Sequence, residues 1–202
     1  MSKKYFDEKA ATWDENPMRG QLTATIVDFV FKTVPLNKQF SVLDYGCGTG
    51  LLSFLLSHKV KDVYAADISD GMLEQVRKKI ESQNVKNIYA LNFDVTKDIL
   101  PEAKYDLITS AMAMHHIEDV FDAITKLSKL LKPGGWIAIA DLCSEDGSFH
   151  EKGIAFHNGF EPADIAKHLE SLKITSVVYK TVFEIPRNQR LYPIFCVCGR
   201  KA

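Results

Sequence analysis

The sequence predicts an α/β fold: a doubly wound, mostly parallel seven-stranded sheet with a helical segment ahead of it. Three observations carry this reading. From residue 42 onward, short apolar runs alternate with helical stripes, the pattern of strands joined by crossover helices. One run, Trp136 to Asp141, is apolar almost without a break, as a strand covered on both faces requires. Between the first strand and the first crossover helix, Gly46, Gly48 and Gly50 alternate with small residues, marking a tight strand–helix turn.

The elements follow in order. Val42 to Tyr45 is the first strand, and Leu51 to Leu56 opens its helix. Asp62 to Asp67 is the second strand, followed by a helix with Met72, Leu73, Val76 and Ile80 on one stripe and Ser69 or Asp70 as its cap. Asn87 to Val95 holds the third strand and its exit, and Tyr105 to Ser110 the fourth. Asp119 caps a helix with Val120, Ile124, Leu127 and Leu131 inward; Lys132-Pro133-Gly134-Gly135 stops it before the fifth strand at 136–141. Pro162 starts another helix at its favoured first position, and two closing strands are expected at 174–185 and 192–199. Ahead of the sheet, an aromatic and charged stretch from Tyr5 to Asp14 leads through Asn16-Pro17 to an amphipathic helix carrying Leu22, Ile26, Phe29 and Val30. We read residues 1–202 as a single domain, with 1–38 as an N-terminal segment, 39–202 as the core, and a long loop over about 142–160 as a functional element.

Composition narrows the function. The chain has 202 residues, 46% of them apolar, and a net charge of −1 with no long basic run, so strong attraction to nucleic acid is not indicated. No apolar run reaches membrane-span length and the first residues lack an apolar signal core, so a cytoplasmic location is expected. The four cysteines, Cys47, Cys143, Cys196 and Cys198, form no C-x-x-C pair; this fits a reducing compartment, and no metal site is expected.

The ligand class follows from charge. Asp44 ends the first strand directly before the glycines, where a carboxylate would repel a pyrophosphate and suit a sulfonium or ammonium group. The third glycine of a dinucleotide fingerprint would fall on Leu51. Asp67 lies about twenty residues further on, the spacing at which a carboxylate meets a ribose hydroxyl pair. Ile68 and Met72 have two readings, flanking a flat ring or packing in the core. Four histidines are candidate bases, His115, His116, His150 and His157; His116 and His157 are the expected catalytic pair.

The set Asp44, Gly46, Gly48 and Gly50 resembles motif I of the class I S-adenosylmethionine-dependent methyltransferases, and the K-P-G-G turn also recurs in that family. The chain as a whole is similar to their small ubiquinone/menaquinone-biosynthesis-like group, type 11/12. The resemblance implies a Rossmann-like methyltransferase fold with a helical lid, S-adenosyl-L-methionine as cofactor with S-adenosyl-L-homocysteine as product, and a small-molecule acceptor. The implied cofactor contacts are Asp44, Tyr45, Gly46, Gly48, Asp67, Ile68 and Met72, with Asp94 and Val95 at the adenine. Ser110, Ala111 and His115 follow after the fourth strand, and Tyr5 and Trp13 come from the lid. The Asn/Asp-Pro-Pro-aromatic sequence of the amide- and adenine-methylating branch is missing after Ser110, which argues against that branch. Two other readings stay open: a cofactor-binding regulatory or partner protein without catalysis, and an NAD(P)-dependent oxidoreductase, against which Asp44 counts. The acceptor and the oligomeric state are not legible.

Overall fold

In the computed structural model, which describes residues 2–99, 102–151 and 153–202, seven strands form one sheet in the order β3-β2-β1-β4-β5-β7-β6. The strands are β1 (Ser41–Tyr45), β2 (Asp62–Asp67), β3 (Ile88–Asn92), β4 (Tyr105–Ala111), β5 (Leu131–Leu142), β6 (Ile174–Arg187) and β7 (Arg190–Lys201). The first five pair in parallel, while β7 runs antiparallel between β5 and β6. Helices α1 (Ser2–Lys9), α2 (Pro17–Thr33), α3 (Leu51–Ser57), α4 (Asp70–Ser82), α5 (Val120–Leu130) and α6 (Pro162–Ser171) complete the fold.

Side-chain alternation splits the core in two. Leu43, Ile108, Ile137, Ile139, Phe195 and Val197 point to one face, where α5 and α6 cover them with Ile124, Leu127, Ile165 and Leu169. Their neighbours Val42, Leu107, Ala138, Ala140, Cys196 and Cys198 point to the other, under Leu22, Ile26 and Val30 of α2 and Leu52 and Leu56 of α3. Successive residues of β5 therefore serve opposite layers, and the strand must be apolar throughout.

The expected caps are in place. Ser69 accepts from the Met72 amide at 3.1 Å and Asp119 from the Asp122 amide at 3.0 Å; Asn16, read from the sequence only as a turn residue, also caps α2, accepting from the Met18 amide at 3.0 Å. Lys132-Pro133-Gly134-Gly135 differs from expectation. It lies inside β5 as an irregularity between the pairs Tyr105–Leu131 and Leu107–Trp136, so α5 ends one residue earlier and the strand begins at Leu131. The closing strands run further than expected, joined at Asn188-Gln189, both in the left-handed region at φ 51° and 59°; this primed two-residue turn matches strand twist. Because β6 runs parallel to β5, the carboxyl ends of β1, β2, β4, β5 and β6 share one edge of the sheet.

Candidate functional site

That edge holds a cavity of about 620 Å³, within the roughly 300–1,000 Å³ usual for small-molecule sites. Its first wall is the loop after β1. Gly46, at φ 69°, has no room for a side chain: a Cβ there would lie 2.3 Å from the Cβ of Ala113. Its glycine thus serves the close approach of the segment after β4. Gly48, at φ 55°, is open, its nearest neighbour being the indole nitrogen of Trp13 at 3.9 Å from a Cβ position. A ligand can therefore lie against this stretch of backbone.

Two carboxylates face the same space. Asp44 is buried and accepts from Ser53 Oγ at 2.5 Å and Thr109 Oγ1 at 2.9 Å. Burial pushes its pKa up to about 6, against the opposing pull of those two hydroxyls. Asp67 joins the glycine loop to the start of α4, accepting from the Gly48 amide at 2.8 Å and the Ser69 amide at 2.9 Å; burial raises its pKa as well. Ile68, Met72, Tyr45 and Phe93 supply the adjoining apolar wall, with Tyr45 and Phe93 edge to face at 6.0 Å.

The raised Asp44 pKa gives a signed prediction. The folded state holds a proton there that the unfolded chain releases near pH 4, so this group's contribution to stability falls as pH rises from about 4 to about 6. The size is on the order of 3 kcal/mol. A cationic ligand favours the ionised form, so its affinity should rise with pH across the same window. Denaturation and ligand titrations at pH 5 and pH 7 check both signs, and Asp44→Asn should flatten both slopes.

The N-terminal segment covers the cavity with Tyr5, Phe6, Trp13 and Arg19. Acidic anchors tie it to the loops beneath. Asp7 accepts from Ser69 Oγ at 2.6 Å and the Gly71 amide at 2.9 Å, and a Cβ on Gly71 would meet the Asp7 backbone at 2.9 Å. Asp14 takes Thr49 Oγ1 at 2.6 Å and Lys79 Nζ at 2.5 Å. Arg19 lies over the Trp13 ring at 3.6 Å and donates to the Trp13 carbonyl; among the described residues it has no carboxylate partner.

Opposite, across β4, lies a wall of histidines. His115 is buried, its Nδ1 2.5 Å from Asp141 Oδ1. His150 Nε2 is 3.0 Å from His115 Nε2, and His116 Nδ1 is 3.1 Å from the Ile154 carbonyl. Burial, aided by the adjacent imidazole, lowers His116 to about 3 and His150 to about 4, so both are neutral at pH 7. Phe149, Ile154, Ile185 and Arg187 complete this side, Arg187 standing over the Phe149 ring at 5.2 Å. Met112, in a left-handed conformation at φ 55°, lies between the two ends, a strained backbone of the kind that collects at functional sites.

The cavity thus gathers Tyr5, Trp13, Asp44, Tyr45, Gly46, Gly48, Asp67, Ile68, Met72, Ala111, His115, His116 and His150 from the residues singled out in the sequence. It leaves out four. Asp94 is taken up by its own turn, accepting from Thr96 N and Oγ1 at 2.9 and 2.6 Å and pairing with Lys97 at 2.9 Å. Val95 is buried in the core and does not line the cavity. Ser110 is buried, and its hydroxyl has no partner among the described residues. His157 does not reach the cavity: its Nε2 binds the Ile117 and Glu118 carbonyls at 2.9 and 3.1 Å, and its ring lines a separate depression with Phe121 and Phe160. His150 stands where His157 was expected. Arg19, Arg187 and Asp141 were not foreseen; the one signal for Asp141 was its place as the acid ending a strand, like Asp44 and Asp67.

Comparison with known proteins agrees with this geometry. Residues 42–135 match a family model described as a methyltransferase domain. An uncharacterised methyltransferase of Schizosaccharomyces pombe is 31% identical over 67% of the chain and 54% of its own length. The malonyl-[acyl-carrier protein] O-methyltransferase of Priestia megaterium is 31% identical over 74% of the chain and 53% of its own length. The chain thus spans about half the length of these curated relatives. A crystal structure of a SAM-dependent methyltransferase from Aquifex aeolicus superposes with a TM-score of 0.66 at 25% identity, covering 87% of this chain and 89% of that one. With motif I in the cavity wall and the sheet order described, residues 42–135 form a methyltransferase domain of the class I S-adenosylmethionine-dependent type.

Proposed function

We propose that the chain is a methyltransferase whose acceptor is a small molecule held against the histidine wall. The observation that carries this is the unlike character of the cavity's two ends. Carboxylates and bare glycine backbone lie at β1 and β2, whereas neutral imidazoles and Arg187 lie toward β5 and β6. The first end fits the family's cofactor: Gly48 leaves room for it, Asp67 keeps lone pairs for two hydroxyl protons, and Ile68 and Met72 bound a flat slot. Arg19, a cation without a carboxylate partner among the described residues, suits its carboxylate. Bound S-adenosylmethionine supplies a methyl group made electrophilic by its sulfonium.

The chain's part is positioning and exclusion of water. Alignment of the reacting groups is worth roughly 7–11 kcal/mol at best. In our reading residues 1–38 act as a lid on a single domain, with Tyr5, Phe6 and Trp13 shielding the cavity, and the loop over about 142–160 shapes the acceptor side. His116, neutral at pH 7, accepts the acceptor's proton; Asp141 and His115 set the wall behind it. A hydroxyl, thiol or ammonium acceptor gives up a proton there, whereas a carboxylate acceptor has none to lose and needs positioning alone; Arg187 favours an anionic one.

The test is release of S-adenosylhomocysteine on incubation with S-adenosylmethionine and a panel of small acids, phenols, thiols and amines. Turnover with a member of the panel, reduced about 100-fold or more in His116→Ala with little change in cofactor affinity, is expected. Cofactor binding without turnover on any acceptor would favour a non-catalytic role.

A further inference from the structure

We propose that His115, His116 and His150 form a three-imidazole site for a divalent transition cation of the zinc type, open to the cavity. One ring nitrogen from each of the three lies within 4.8 Å of the other two. A tetrahedral zinc centre with Zn–N of about 2.0–2.1 Å needs nitrogens roughly 3.3 Å apart. His115 and His150 already approach at 3.0 Å, so a small rotation of His116, which is only partly buried, closes the set.

The tautomers of His115 and His116 are set for ligation, while His150, whose Nε2–H donates to His115 Nε2 in the metal-free chain, moves that proton to Nδ1 or gives it up when a cation binds. Asp141 accepts from His115 Nδ1, which leaves the lone pair of His115 on Nε2. The Ile154 carbonyl can only accept, so His116 carries its proton on Nδ1 and its lone pair on Nε2. Outer carboxylate and carbonyl partners of this kind are what orient metal-bound histidines. Asp141 also places a negative charge behind the site, while Arg187, a cation lining the same cavity, lies over the Phe149 ring. With no thiolate or carboxylate among the three ligands, soft and hard cations are disfavoured; zinc, cobalt, nickel and copper suit imidazole. All three side chains line the cavity, so at least one coordination position faces it, as in catalytic rather than structural zinc sites. The sequence conceals such a site because His150 is 34 positions beyond His116, with no motif spacing between them.

This inference does not rest on the methyltransferase reading, because its readout is the metal alone. In the metal-free chain His116 Nε2 keeps the proton-accepting role given above. Chelator-treated protein is titrated with Co²⁺, followed by its visible absorption, and with Zn²⁺ in competition with a chromophoric chelator. One ion per chain is expected, with a melting temperature raised by the metal. His150→Gln and His116→Gln should each weaken binding by about 100-fold or more, and Asp141→Asn by about 10- to 100-fold. His58→Gln, on the exposed end of α3, should change nothing. Circular dichroism establishes that each variant is folded. Absence of binding to wild type, or binding that His150→Gln and His116→Gln leave intact, overturns the proposal.

Discussion

Asp67→Ala is expected to weaken S-adenosylhomocysteine binding by about 30- to 100-fold, on the order of 2–3 kcal/mol. Two losses add. The first is the acceptor for a ribose hydroxyl pair, a charge-assisted contact of the stronger kind. The second is the anchor of the loop itself, since the Asp67 carboxylate binds the Gly48 and Ser69 amides and so holds the glycine turn against the start of α4. Asp67→Asn separates them. Its amide keeps one acceptor oxygen and similar shape but no charge, and it should fall between wild type and alanine. Calorimetric titration of the three proteins gives the ordering directly. A change of less than about threefold in Asp67→Ala would place the nucleoside elsewhere.

Gly46→Ala is expected to lower stability by about 2–5 kcal/mol. A left-handed conformation costs an alanine roughly 1–2 kcal/mol, and overpacking a tight contact adds roughly 1–3. Here the contact is with the Cβ of Ala113 at 2.3 Å, an atom with no rotamer to escape into. Ala113→Gly removes that overlap and leaves only the backbone cost, so the double variant should recover the overpacking part. For a chain of this size the single variant's melting temperature should drop by about 4–20 °C. Because Met112 and Ala113 both line the cavity, ligand affinity should fall with it. A loss under about 1 kcal/mol, or no recovery in the double variant, would contradict the packing described.

What the sequence revealed, and what it hid, follows the range of the interactions. Asp44, Gly46, Gly48, Asp67, Ile68 and Met72 sit at strand ends, on a turn or on one helical stripe, where local pattern dictates position. The order of β5, β7 and β6 is a long-range pairing that no local period encodes. Asp94 lies outside the cavity lining for a local reason: Thr96 and Lys97, two and three residues on, supply the partners that take up its carboxylate. The loop between β5 and α6 was the hardest stretch. Its course is set by contacts across the fold, with the His115 carbonyl accepting from Phe156 and His157 amides at 3.0 and 3.2 Å. Those bonds turn His157 outward, while Tyr192 holds Ser148 at 2.7 Å beside Phe149 and His150. Choosing between His150 and His157 therefore depended on partners some 40 residues away. Arg19 lay hidden for a different reason: a lone arginine on an amphipathic helix looks solvated until Trp13 folds over it.

The most direct measurement is calorimetry of the wild-type chain against two ligands, S-adenosylhomocysteine and NAD, at pH 7. The cavity described here, with Asp44 and Asp67 facing bare glycine backbone, predicts one S-adenosylhomocysteine per chain at micromolar affinity or tighter, and no heat with NAD. Binding of NAD in preference, or no binding of S-adenosylhomocysteine by folded protein, would contradict it.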